Sequence, residues 1–122
     1  MDNIKYRTDH RKVIFMGIFQ KLRLSSRIDD GVRRFGETEN GVLLDVRREE
    51  EYGEGHIPGS RNLPLSRLEQ AKSEIPDRET PLFVYCLSGG RSRKAAEILK
   101  GMGYTSVENI GGIQQYHGEL EE

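Results

Sequence analysis

The sequence predicts an α/β fold, a parallel sheet covered by helices. Three stretches carry that prediction. "VLLDV" (42–46) is a short, nearly unbroken apolar run, the pattern of a strand buried on both faces. "PLFVYC" (81–86) is rich in β-branched and aromatic residues and is bounded by Pro81 and a glycine pair. "RSRKAAEILKGMGY" (91–104) sets Ala95, Ile98, Leu99 and Met102 on one side of a helix, with Gly101 and Gly103 to end it.

The other elements fall between these in alternation. Residues 1–23 are polar and basic around a short apolar run and are expected to form a flexible tail, leaving 24–122 as one domain. "SSRIDDGVRRFGETENG" (25–41) reads as a short helix. Ile28, Val32 and Phe35 share a face, Ser25 or Ser26 caps the start, and Gly36 or Gly41 ends it. "RREEEYGEGHIPGS" reads as a helical turn leading into a loop, and "RNLPL" as a brief strand. "SRLEQAKSEI" is expected to be a helix with Ser66 as N-cap, Glu69 three residues on, and Leu68, Ala71 and Ile75 inward. "SVENI" is a last strand and "GIQQYHGELEE" a closing helix.

Composition narrows the function classes. The 122 residues carry 19 Lys/Arg and 20 Asp/Glu, so the formal net charge of -1 gives no pull toward nucleic acid or anionic membrane. The apolar run Val13 to Phe19 lacks a cleavage site after it and is too short to span a bilayer, so no stable membrane association and a cytoplasmic location are expected. One cysteine excludes an internal disulfide and any zinc site built on several thiolates. His10 and His117 have no matching ligand cluster; neither metal nor cofactor is implied.

That one cysteine sits in "YCLSGGRS" (85–92), where a buried strand ends and a helix is about to start. Ligands of open parallel sheets bind beyond the carboxyl ends of strands. Leu87, Ser88, Gly89 and Gly90 can curl so that successive N–H groups point inward, with Gly89 and Gly90 free to take positive φ. Arg91 adds a fixed cation, Arg93 and Lys94 raise the potential, and Ser92 closes the loop. A helix N-terminus with nearby cations favours thiolate over thiol. Cys86 is therefore read as a nucleophile inside an anion cradle rather than as a small core residue.

These stretches resemble the rhodanese family. "YCLSGGRS" is similar to its active-site loop, "LLDVRREEEYGEGHIPGSRNLPL" (43–65) to its N-terminal signature, and "VENIGGIQQYHGEL" (107–120) to its C-terminal segment. The resemblance covers about residues 24–120 and implies a rhodanese-like three-layer α/β/α fold with a parallel, about five-stranded central sheet. It also implies sulfurtransferase chemistry. On this resemblance Cys86 is expected to take a sulfane sulfur from a small anionic donor such as thiosulfate, become a persulfide, and pass the sulfur to cyanide, a thiol or a protein partner. On the match, Leu87, Ser88, Gly89, Gly90, Arg91 and Ser92 form the substrate cradle, and Arg91 orients the donor. Tyr116 stands where many members carry Trp, a packing change.

The remaining motif residues are assigned structural work. Asp45 is expected to bind backbone N–H groups and fix neighbouring loops. Arg47 and Glu51, four apart, are expected to pair. His56 is expected to hydrogen-bond backbone. Two other functions compete. Phosphatases and arsenate reductases of this fold also use cysteine, backbone nest and arginine. The five positions from Cys86 to Arg91 are one fewer than the related phosphatases use, and an arsenate reductase needs a second thiol. A non-catalytic binding module would usually lack the cysteine.

Overall fold

The structure is a computed structural model and describes residues 25–122, so the tail expected over 1–23 lies outside the described residues. Helix α1 (Arg27–Gly36) starts at Ser26, whose side chain accepts the Asp29 N–H while the Asp29 carboxylate accepts the Ser26 N–H. It ends at Gly36 rather than Gly41.

Four strands follow: β1 (Val42–Asp45), β2 (Ser60–Asn62), β3 (Leu82–Cys86) and β4 (Val107–Gly112). Their order is β2-β1-β3-β4 and every pairing is parallel. The sheet among the described residues thus has four strands, not the five that the resemblance implied. Over residues 25–122 the sequence itself offers four strand-forming runs, matching the four strands that pair.

The pleat sends alternate side chains to opposite faces. Leu82, Val84 and Cys86 join Leu44, Ala95 and Leu99 on one face, beneath α4 (Gly90–Gly101). Phe83 and Tyr85 join Leu43, Ile28 and Ile110 on the other, against α1. On α4 the buried stripe is Ser92, Ala95, Ala96 and Leu99. Ile98 lies beside that stripe and is exposed, contrary to expectation.

Two local expectations fail. "SRLEQAKSEI" is not one capped helix. Leu65–Gln70 forms a 3-10 stretch that runs into one turn, α3 (Ala71–Glu74). Ser66 is inside it rather than at its cap, because Pro64 precedes the turn and Arg67 leaves helical geometry. Leu68, Ala71 and Ile75 are nonetheless buried. The closing helix is a single 3-10 turn, Ile113–Gln115. Beyond it the backbone of Glu121 exchanges two hydrogen bonds with His56, at 2.7 and 2.8 Å, which holds the chain extended. Gly118 between them weakens any helix. Tyr116 packs half-buried against the α1 side of the core.

Candidate active site

Cys86 closes β3, and its position in the pleat turns its side chain toward α4 rather than toward α1. The chain then reverses through 87–89 into α4. Gly89 makes this possible with φ of 109°, a left-handed conformation that costs a glycine little. Gly90 has no positive φ; it is already the first residue of the helix, one position earlier than expected. Across the gap, Gly112 pairs with Cys86, and any Cβ there would collide with the Leu87 carbonyl and the Ser88 Cα. The turn is pinned by a 3.2 Å bond from the Gln114 N–H to the Leu87 carbonyl.

The sulfur lies in a ring of donors. Gly89 N–H reaches Cys86 Sγ at 3.0 Å and Ser92 N–H at 3.3 Å, and the Ser92 hydroxyl oxygen is 3.3 Å away. Burial pushes the thiol up. The Ser92 hydroxyl and the N–H groups of Ser92, Gly89 and Ser88 outweigh it and hold the thiol below its ordinary value. Cys86 is thus a buried thiol made acidic mainly by a helix N-terminus and a hydroxyl.

Arg91 stands on the first turn of α4 and makes no hydrogen bond to the sulfur. Its Nη1 and Nη2 donate to both oxygens of Glu51, at 2.8 and 3.1 Å. Glu51 comes from α2 (Glu49–Glu54), the short helix after β1. Hydrogen bonding to Arg91 holds the Glu51 carboxyl at about 2. The expected Arg47–Glu51 pair does not form. Arg47 folds back on Asp45 instead, donating from its backbone N–H, Nε and Nη2, with one further bond to the Gly55 carbonyl at 2.7 Å.

Asp45 is wholly buried and its register partner is Tyr85, so it lies on the face opposite Cys86. It is not a base for the thiol. Beyond Asp45, Arg47 lies over the Tyr85 ring. Burial, then the Asp45 charge, push the Tyr85 phenol up, and its oxygen takes the Ile57 N–H and contacts the Ser60 hydroxyl. His56 Nδ1 lies 2.9 Å from the Tyr52 carbonyl and its ring stacks on Tyr52, a structural arrangement. His117 contacts Asp29. Leu87 and Ser88 face solvent at the mouth.

The structure therefore gathers Cys86, Leu87, Ser88, Gly89, Gly90, Arg91 and Ser92 at one point and sets Asp45 and Arg47 behind it. Sequence reasoning missed two participants. Glu51 is one of three consecutive acids; its spacing points to Arg47, and nothing local points it to Arg91. Asn109 touches both Ser92 and Gly89 from β4, and only its place just before Gly111 and Gly112 could have flagged it. Among the described residues no group of three or more His, Cys, Asp or Glu is placed to hold a metal, and no helix is long and apolar enough to cross a membrane.

A parallel sheet with a cysteine at a strand end, wrapped by the N-terminus of the next helix, is the arrangement of a known class. The family model for the Rhodanese-like domain matches residues 28–119, and the chain belongs to that family. It is 41% identical over 80 residues to the uncharacterized protein YqhL of Bacillus subtilis, a stretch that is 65% of this chain and 63% of that protein. It is 43% identical over 72 residues to the thiosulfate sulfurtransferase PspE of Escherichia coli, covering 58% of this chain and 69% of the relative. Among solved structures, a rhodanese with anions from E. coli superposes with a TM-score of 0.63 at 37% identity, covering 67% of this chain and 98% of that one.

Proposed function

We propose that this chain is a sulfurtransferase that moves sulfane sulfur from a small anionic donor such as thiosulfate to cyanide or a thiol, through a persulfide on Cys86. The observation that carries this reading is the set of donors around Cys86 Sγ, from Gly89 and Ser92, at the mouth of a parallel sheet. The E. coli relative named a thiosulfate sulfurtransferase supports it. The thiolate attacks the outer sulfur of the donor, the donor S–S bond breaks, and sulfite leaves with the electron pair. Backbone N–H groups of the loop, those of Gly89 and Ser92 foremost, stabilise the terminal sulfur of the persulfide, which carries the negative charge. Arg91, held at the rim by Glu51, meets the donor anion. A protein donor or acceptor fits the same chemistry. One free thiol suits a reducing compartment, so the proposed location is cytoplasmic.

Intact-mass measurement tests the reading. Thiosulfate should add one sulfur atom per chain, cyanide should remove it with release of thiocyanate, and Cys86→Ser should do neither while keeping its fold. An unchanged mass together with Cys86-dependent hydrolysis of p-nitrophenyl phosphate would replace this reading with a phosphatase.

A further inference from the structure

The hydroxyl of Ser92 is wholly buried and has one hydrogen to give. Its oxygen lies 2.7 Å from Asn109 Oδ1, 3.1 Å from the Gly89 carbonyl, 3.3 Å from Cys86 Sγ and 3.5 Å from the Gly111 carbonyl. Three of these neighbours only accept. The fourth, the sulfur, donates as a thiol and accepts as a thiolate.

The orientation of Asn109 is fixed by its other contacts. Gly111 N–H donates to Oδ1 at 3.0 Å, and Nδ2 donates to the Gly89 carbonyl at 3.3 Å. The amide oxygen therefore faces Ser92. In the thiol state the S–H can donate to Ser92 Oγ, whose own hydrogen goes to Asn109, the shortest contact. In the thiolate state the sulfur has no hydrogen. The hydroxyl must turn to it, and Asn109 Oδ1 is left with Gly111 alone.

We propose that Asn109 is a positioning residue that competes with the Cys86 thiolate for the Ser92 hydrogen, so that Ser92 is a rotating donor whose direction follows the charge on sulfur. This rests on the reading of Cys86 as the reacting thiol. Asn109 opposes ionisation and leaves the sulfur more basic, and a more basic thiolate is the better nucleophile. The step needs no covalent transfer to Ser92. The thiol proton goes to water, and the hydroxyl turns about its Cβ–Oγ bond. After attack on a sulfane sulfur, Cys86 Sγ is a neutral divalent sulfur, the charge sits on the outer sulfur, and the hydroxyl returns to Asn109.

The charged groups near the sulfur do not substitute for this contact. Arg91 on α4 is committed to Glu51, and Asp45 and Arg47 at the end of β1 are committed to each other. None of the four hydrogen-bonds to Sγ, and Arg91 acts on it through its field alone.

The test is the pH profile of iodoacetamide alkylation of the full chain, which reports one residue because Cys86 is the only cysteine. Ser92→Ala should raise the midpoint, with the thiolate fraction at neutral pH falling about tenfold for one lost hydrogen bond. Asn109→Ala should lower the midpoint, raising that fraction about threefold by removing a competing acceptor. In the Ser92→Ala background Asn109→Ala should change nothing, because its effect runs through the hydroxyl. If Asn109 acted only by steadying Gly89, its loss would raise the midpoint equally in both backgrounds, and the proposal falls. In the unaltered protein the Asn109 side-chain amide resonance should titrate with the alkylation midpoint, and a resonance that does not move overturns the proposal without any variant. These readouts follow thiol ionisation alone, so a failure of sulfur transfer is seen separately.

Discussion

Asp45–Arg47 and Glu51–Arg91 are both acid–arginine pairs at the carboxyl edge of the sheet. Asp45 and Arg47 are two residues apart and their side chains are 0% and 6% exposed. Glu51 and Arg91 are 40 apart, on different helices, and their side chains are 15% and 34% exposed. The first pair is closed on itself. It ties the end of β1 to the Gly55 carbonyl and presents nothing to the site mouth. The second joins the helix after β1 to the helix after β3, so it sets where Arg91 stands beside the Cys86 loop. The pair that looks most charged in the sequence signature is scaffold, and the pair that bears on the site is invisible in it.

The largest expected effect falls on the scaffold pair. Asp45→Ala leaves the Arg47 guanidinium buried without its partner, which costs about 3–5 kcal/mol of stability. Urea denaturation should show a loss of that size, or no folded protein at all. A loss below about 1 kcal/mol, the range of surface pairs, would mean that Arg47 swings to solvent and that the two pairs are alike.

Arg91→Ala comes next, and its effect should be on turnover rather than stability. Losing one charge-assisted contact to an anionic donor, about 1.5–3 kcal/mol, lowers kcat/KM for thiosulfate roughly ten- to a hundredfold. The alkylation midpoint of Cys86 should move far less, because the sulfur's hydrogen bonds come from Gly89 and Ser92. An unchanged kcat/KM would remove Arg91 from donor binding.

The contrast between the pairs also explains which parts of the molecule were legible in sequence. β1, β3, α1 and α4 are written in local periodicity, and all four form where expected. The Cys86 loop was legible because its parts are contiguous and its glycines answer a backbone need, met at Gly89. What escaped depended on partners far along the chain. The i, i+4 rule assigned Glu51 to Arg47, yet a helix of six residues let Glu51 reach Arg91 instead. The closing segment had a helix-compatible composition, but the backbone pairing of Glu121 with His56 decided it. Asn109 looked like an ordinary strand residue because its role exists only once β4 lies beside the Cys86 loop.

Glu51→Gln sharpens the comparison further. The amide keeps one acceptor for Arg91 but loses the charge and the second acceptor. Donor KM should rise several-fold for one weakened contact, with kcat nearly unchanged, because no reacting atom is touched. The pH dependence has a definite sign. A carboxyl held at about 2 in the folded chain contributes stability above its ordinary value of 4.5 and loses it as the pH falls toward about 2. The stability difference between wild type and Glu51→Gln should be constant above about pH 5 and vanish near pH 2. A difference that persists at pH 2 would mean the carboxylate charge is not what holds Arg91.

The smallest effect is expected at Arg48, the second arginine on Glu51. Its Nε donates to Glu51 Oε1 at 3.3 Å, the same oxygen that takes Arg91 Nη1 at 2.8 Å. The Arg48 side chain is 73% exposed, so water and salt screen it, and holding so long a side chain costs entropy that offsets the attraction. Arg48→Ala should therefore change stability by less than about 0.5 kcal/mol. Donor KM should hold within about twofold at physiological salt, where exposed charges are screened. Glu51 keeps its two bonds to Arg91 in that variant, so its low carboxyl value should survive and can be followed by NMR titration. If Arg48→Ala instead raises the Glu51 midpoint as far as Arg91→Ala does, the carboxylate belongs equally to both arginines. The second pair would then be a three-membered surface cluster rather than a clamp on the cradle.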